Sequence, residues 1–153
     1  RTVLEYVQEK LGLNDRQVVA VTSWENFRSY VSSRPNLFYV NAGYAEVPPE
    51  VALGPEFRDA SRNAMRTLSL DESSRNDGAT GAVALAYLLT WRPRLMYVSF
   101  GETDDWAHER RYDLVLDDLH GLDDWLHELW TTLQSVPASG VALLGSVAGL
   151  RTM

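Results

Sequence analysis

Asp104 and His108 stand four residues apart in the run Gly101-Glu102-Thr103-Asp104-Asp105-Trp106-Ala107-His108, in a chain that has no cysteine. Carboxylate oxygen and imidazole nitrogen are donors that a zinc ion accepts when thiolates are absent. A spacing near one helical turn brings both groups to one side of a coiling segment, within reach of one ion. Glu102 and Asp105 are close enough in sequence to orient the imidazole from behind. A plainer role fits the same run, because Thr103, Asp104 and Asp105 are residues favoured at a helix start by capping and by the macrodipole. A catalytic zinc takes about three protein ligands and keeps one position open. Asp104 and His108 supply two, so the spacing predicts half of a metal site.

The other histidines do not complete it. His120 and His127 are seven residues apart and share a face of a predicted long helix. If that helix continues from His108, His120 lies roughly 18 Å further along the axis. Both histidines read as part of a solvated face, beside Asp117, Asp118, Asp123 and Asp124. Other chemistry has less support. Ser135, Ser139 and Ser146 have no neighbouring base for a hydrolytic triad, and the glycines of 140–149 have no lysine to make a phosphate loop.

The elements that must position the pair follow from periodicity. Val3, Leu4, Val7 and Leu11 predict a helix ended by Gly12. Residues 17–22 predict a buried strand, with Ser23 as N-cap of a helix over 24–31. A second strand is expected at 37–41, a Gly- and Pro-rich loop at 43–55, and a helix at 56–70. Small apolar residues over 77–91 predict a helix that packs closely on a sheet and is stopped by Pro93. The nearly continuous apolar run 94–100 predicts a central parallel strand covered on both faces. Leucines at steps of three and four predict a long helix over 109–134, and 136–153 has no clear period. Strands alternating with helices predict an α/β fold: a layered, mostly parallel central sheet flanked by helices. Residues 101–108 then fall where ligands gather, beyond the carboxyl end of a strand.

Composition narrows the partners. At 153 residues the chain fits one domain, expected over 1–135 with 136–153 as a divergent tail. A net charge of −7 argues against nucleic acid and anionic membranes, whose phosphates need clustered Lys and Arg. An acidic protein can still take an anionic substrate if a metal reverses the local field. Even the apolar run 141–147 is far short of the roughly 20 residues of a membrane helix. The first residue is Arg1 rather than Met, which suggests a longer parent.

The run from Tyr97 to His108, continuing through Tyr112-Asp113-Leu114 and 129–135, resembles the alkaline phosphatase superfamily, nearest its alkaline-phosphatase-like or sulfatase-like bacterial members. Thr2–Val7, 18–24 and Val40-Asn41-Ala42-Gly43 share the likeness, which covers most of 1–135. The resemblance implies an incomplete alkaline-phosphatase-like core and a metal-dependent hydrolase of phosphate or sulfate esters. It implies Asp104 and His108 as ligands of one divalent ion, commonly zinc. Two departures accompany it: no early Asp with a Ser or Thr nucleophile, and no Asp-His pair after the long helix. The expected function is therefore a fragment of such a hydrolase, inactive as this chain alone. The alternative is a non-catalytic α/β interaction module that self-associates through an exposed apolar groove.

Overall fold

The computed structural model describes residues 1–44, 59–60, 62–63, 66, 72–135 and 142–147, the last of these as backbone. Its sheet has four parallel strands in the order β2-β1-β3-β4, with β1 at Val18–Thr22, β2 at Tyr39–Ala42, β3 at Leu95–Phe100 and β4 at Ala142–Val147. Every residue of β1 is buried, as expected of a β-branched strand covered on both faces. β3 lies between β1 and β4, with Thr22 opposite Ser99 and Phe100 opposite Val147. The fold is α/β and layered, as the alternation of elements predicts.

Each sheet face has its own core. Helix α1 (Val3–Leu11) and helix α2 (Phe27–Val31) cover Val18, Ala20 and Leu95 through Leu4 and Val31. The other face, with Val19, Val21, Met96 and Val98, is covered by α3 (Asp77–Trp91) and α5 (Tyr112–Ser135). Between β3 and α5 runs the short helix α4, Glu102–His108. Among the described residues, no helix is long and apolar enough to cross a membrane.

The ends of α1 follow local chemistry. Thr2 and Glu5 form a capping box, and Gly12 closes the helix in the left-handed region at φ 61°. Glu5 is also buried, and it accepts the Ser33 N–H at 2.7 Å and the Ser33 hydroxyl at 2.8 Å. These donors, the Thr2 N–H foremost, lower its carboxyl to about 2.

Two expectations are corrected. Ser23 does not cap α2: that helix starts at Phe27 after Asn26, and the Ser23 hydroxyl turns inward to Asp77. The buried carboxylate has the stronger need of a donor. The expected helix over 109–134 starts at Tyr112, because α4 closes ahead of it. Arg110 takes φ 58°, and the Arg111 N–H bonds back to the Trp106 carbonyl in a left-handed C-terminal cap. For 136–153 the sequence leaves strand and short helix both open; residues 142–147 form β4, which extends the sheet past residue 135. The loop expected at 43–55 and the helix expected at 56–70 fall largely outside the described residues.

The small residues of α3 let α5 approach closely. A Cβ added at Gly81 meets the Trp125 indole nitrogen at 2.5 Å, and Trp125 is held edge-on against Phe100 with centroids 4.9 Å apart. Gly81→Ala is therefore expected to destabilise despite its better helix propensity, by roughly 1–2 kcal/mol net. Urea denaturation measures it; an unchanged or higher midpoint counts against a tight α3–α5 seam.

Candidate metal site

The chain leaves β1 toward β2 on one side and leaves β3 toward β4 on the other. The carboxyl ends of β1 and β3 thus flank the point where strand order reverses, where α/β sheets bind ligands. Ser23 follows β1 and Gly101 follows β3, and a Cβ at Gly101 would lie 3.7 Å from the Ser23 Cβ.

Residues 73–77 fold over this point. The Arg75 N–H donates to the Ser23 carbonyl at 2.8 Å, and the Glu25 N–H donates to the Ser73 carbonyl at 2.9 Å. This lays Arg75 into the interior, 1% exposed. Its guanidinium donates to Asn41 Oδ1 at 2.6 Å, Thr80 Oγ1 at 3.0 Å and the Thr22 carbonyl at 3.3 Å. Desolvation lowers its pKa to about 10, which leaves the cation intact at neutral pH. Asp77, also buried, accepts the Ser23 hydroxyl, the Gly101 N–H at 2.8 Å and the Glu102 N–H at 2.9 Å. Glu102 reciprocates by accepting the Asp77 N–H at 2.7 Å and the Asn76 amide. Each carboxylate thereby sits at the other's helix N-terminus, where the macrodipole favours negative charge.

Asp118 of α5 joins them. One oxygen from each of Asp77, Glu102 and Asp118 lies within 4.8 Å of the others. Oxygen donors alone suit a proton or a hard divalent cation better than zinc. The Thr103 N–H bonds the Asp118 carboxylate, while Asp118 Oδ2 is buried without a hydrogen-bond partner among the described residues. Desolvation, then the charges of Asp77, Glu102 and Asp105, push the Asp118 carboxyl up to about 7. Burial raises Asp77 and Glu102 as well.

A raised carboxyl is no burden while protonated in both folded and unfolded chains. Its cost grows as pH rises from the unfolded value of 3.8 through about 7. Glu5 acts in the opposite sense: its contribution is present above 4.5 and is lost as pH falls toward about 2. Stability is thus expected to peak well on the acid side of neutrality, where the two windows meet between 3.8 and 4.5. Asp118→Asn should raise stability near pH 8 by roughly 1–2 kcal/mol, once solvent screening of the partly exposed group is allowed for. Near pH 4 it should change little. Thermal melts across pH check this, and equal effects at both ends contradict it.

Asp104 and His108 lie on α4, one turn apart, with Nε2 and Oδ2 3.5 Å from each other. Their side chains are 49% and 79% exposed. They form a surface pair beside the acidic cluster of Asp77, Glu102 and Asp118 rather than part of it. Glu102, expected to orient His108, is engaged by Asp77 and Asn76 instead. Asp105 adds its charge to the field at Glu102 and Asp118. His120 and His127 are exposed on α5, and among the described residues no third His or carboxylate joins Asp104 and His108.

The network around Arg75 and Asp77 escapes sequence reading, because Ser23 and Asp77 are 54 residues apart. Its one local signal is Asn76-Asp77, an N-cap followed by an acidic first turn, which marks a helix start but not what it faces. Neither protein-family models, nor curated proteins, nor solved structures match the chain. The class that fold and site define is accordingly a layered parallel α/β domain with acidic groups gathered at the carboxyl edge of its sheet.

Proposed function

We propose that this chain is part of a metal-dependent phosphate- or sulfate-ester hydrolase with an incomplete alkaline-phosphatase-like core. Asp104 and His108 form its half-site for one divalent ion, zinc by donor type. The carrying observation is their separation. Two ligands at about 2.0–2.2 Å from a tetrahedral ion stand roughly 3.4 Å apart, and Asp104 and His108 stand 3.5 Å apart. That is long for a charge-assisted hydrogen bond, which prefers about 2.7–2.9 Å.

The surroundings agree with this reading. The pair follows β3 at the carboxyl edge of a parallel sheet, and both side chains reach solvent, where a substrate and further ligands can approach. A bound zinc supplies Lewis acidity toward a phosphoryl or sulfuryl oxygen. The chain's own contribution is rigidity, since Thr103 is buried and Glu102 ties α4 to the start of α3. On this reading Asp104 and His108 supply two ligands and no nucleophile, so this chain alone is inactive. A non-catalytic interaction module is the second reading, favoured by an exposed apolar stripe on α5.

Calorimetric zinc titration is expected to give one weak site, lost in Asp104→Asn and in His108→Ala. No turnover of p-nitrophenyl phosphate or sulfate should accompany it. Binding that survives both substitutions sinks the ligand assignment, and zinc-dependent turnover sinks the half-site.

A further inference from the structure

Helix α5 carries more apolar surface than its own domain covers. Val115, Leu122 and Leu129 are buried, the last two in the core with Val98 and Phe100. On one flank of that seam Trp125 meets Gly81 of α3. On the other flank Tyr112, Leu116, Leu126 and Trp130 are 68%, 41%, 55% and 63% exposed. At 3.6 residues per turn these four fall within about 80° of arc and make one stripe. The seam separates the stripe from Trp125, so the stripe looks away from α3. Helix α3 packs over β1 and β3, and β4 lies beyond β3. The stripe therefore overhangs the β4 side of the sheet. Among the described residues β4 has β3 as its one neighbour, and none of them pairs with its outer main-chain groups.

The spacing of the stripe names its occupant. Residues 112 and 130 lie nine positions either side of Gly121, and 116 and 126 lie five positions either side. A two-fold axis sets residue i against j and j against i, so a stripe symmetric about its midpoint complements an antiparallel copy of itself. Area points the same way. Burying these four side chains removes on the order of 450 Å² per copy, over half of the roughly 800 Å² per partner in a stable interface. The six-residue edge of β4 supplies backbone pairing beside it.

We infer that two copies of this chain associate edge to edge about a two-fold axis normal to the sheet. β4 pairs antiparallel with the second copy's β4, and α5 packs antiparallel on its α5. Tyr112 then meets the partner's Trp130, and Leu116 meets the partner's Leu126. Asp123 lies within the stripe near the axis, where the two copies' carboxylates repel. The rows of Asp113, Asp117, Asp124 and Glu128 point away from the contact. This inference rests on the fold alone and is independent of the metal site.

Sedimentation velocity across a concentration series is expected to show a monomer–dimer equilibrium. Trp130→Asp, at an exposed position, should weaken the dimer roughly tenfold or more with an unchanged thermal melt. Asp123→Leu should tighten it. Because the chain has no cysteine, register is tested cleanly by mixing Leu116→Cys with Leu126→Cys under mild oxidation. The mixture should cross-link faster than either variant alone, while Leu89→Cys on α3 should not cross-link. A chain that stays monomeric at every concentration overturns the inference, leaving the stripe to a different protein or to a further strand–helix unit. A dimer indifferent to Trp130→Asp, or a cross-link no faster in the mixture, overturns it too.

Discussion

Arg75→Ala is expected to be the most damaging single substitution, costing about 3–5 kcal/mol. Three losses coincide. The truncation opens a cavity in a site that is 1% exposed. It leaves Asn41 Oδ1 and the Thr22 carbonyl without the donors that approach them at 2.6 and 3.3 Å. It also removes the cation that offsets the Asp77 charge. A domain of this size has a total stability of about 5–15 kcal/mol, so the variant should be marginal. Arg75→Lys should not rescue it, because an ammonium cannot reach Thr80, Asn41 and Thr22 from one planar fork. Urea denaturation measures both variants; a loss under about 1 kcal/mol for Arg75→Ala means that the guanidinium is not a keystone of this site.

Asp77→Ala comes next, with a similar expected loss of about 3–5 kcal/mol. The carboxylate accepts from the Ser23 hydroxyl and from the Gly101 and Glu102 N–H groups, so its removal strands two backbone donors at the start of α4. It also leaves Arg75 as a buried cation with less compensation. The two residues should therefore couple. Removing both, as Arg75→Ala with Asp77→Ala, should cost less than the sum of the single losses by about 1–3 kcal/mol. Strict additivity contradicts the idea that they work as one unit. Asp77→Asn separates charge from shape, since one amide oxygen can still accept while the amide nitrogen faces the Gly101 or Glu102 N–H. Its loss should be intermediate.

Much of the fold was legible in residue patterns, because burial imposes them. The β-branched run of β1 and the apolar run of β3 mark strands covered on two faces, and the small residues of α3 mark a helix that packs closely. Helix ends were legible only where the signal is local. Thr2 with Glu5 and Gly12 bracket α1, whereas the break between α4 and α5 depends on a left-handed Arg110 that no propensity favours. The tail was illegible for a different reason: β4 is ordered by its pairing with β3 rather than by any period of its own.

For the candidate site, Asp104 and His108 were legible as a pair because their relation is one helical turn. Their neighbours were not. Glu102 is adjacent in sequence yet serves α3, and Asp118 is brought in from α5 only by the turn at 109–111. A carboxylate's partners across the sheet edge are set by strand order, which single-sequence patterns do not encode.

Titrating zinc into the chain while following the ring signals of its three histidines by NMR tests the half-site most directly. The His108 signals should respond first and saturably, and Asp104→Asn should abolish that response while the exposed His120 and His127 stay unmoved at the same metal concentration. If His120 or His127 responds with or before His108, or if His108 responds equally well without Asp104, the Asp104–His108 half-site is wrong.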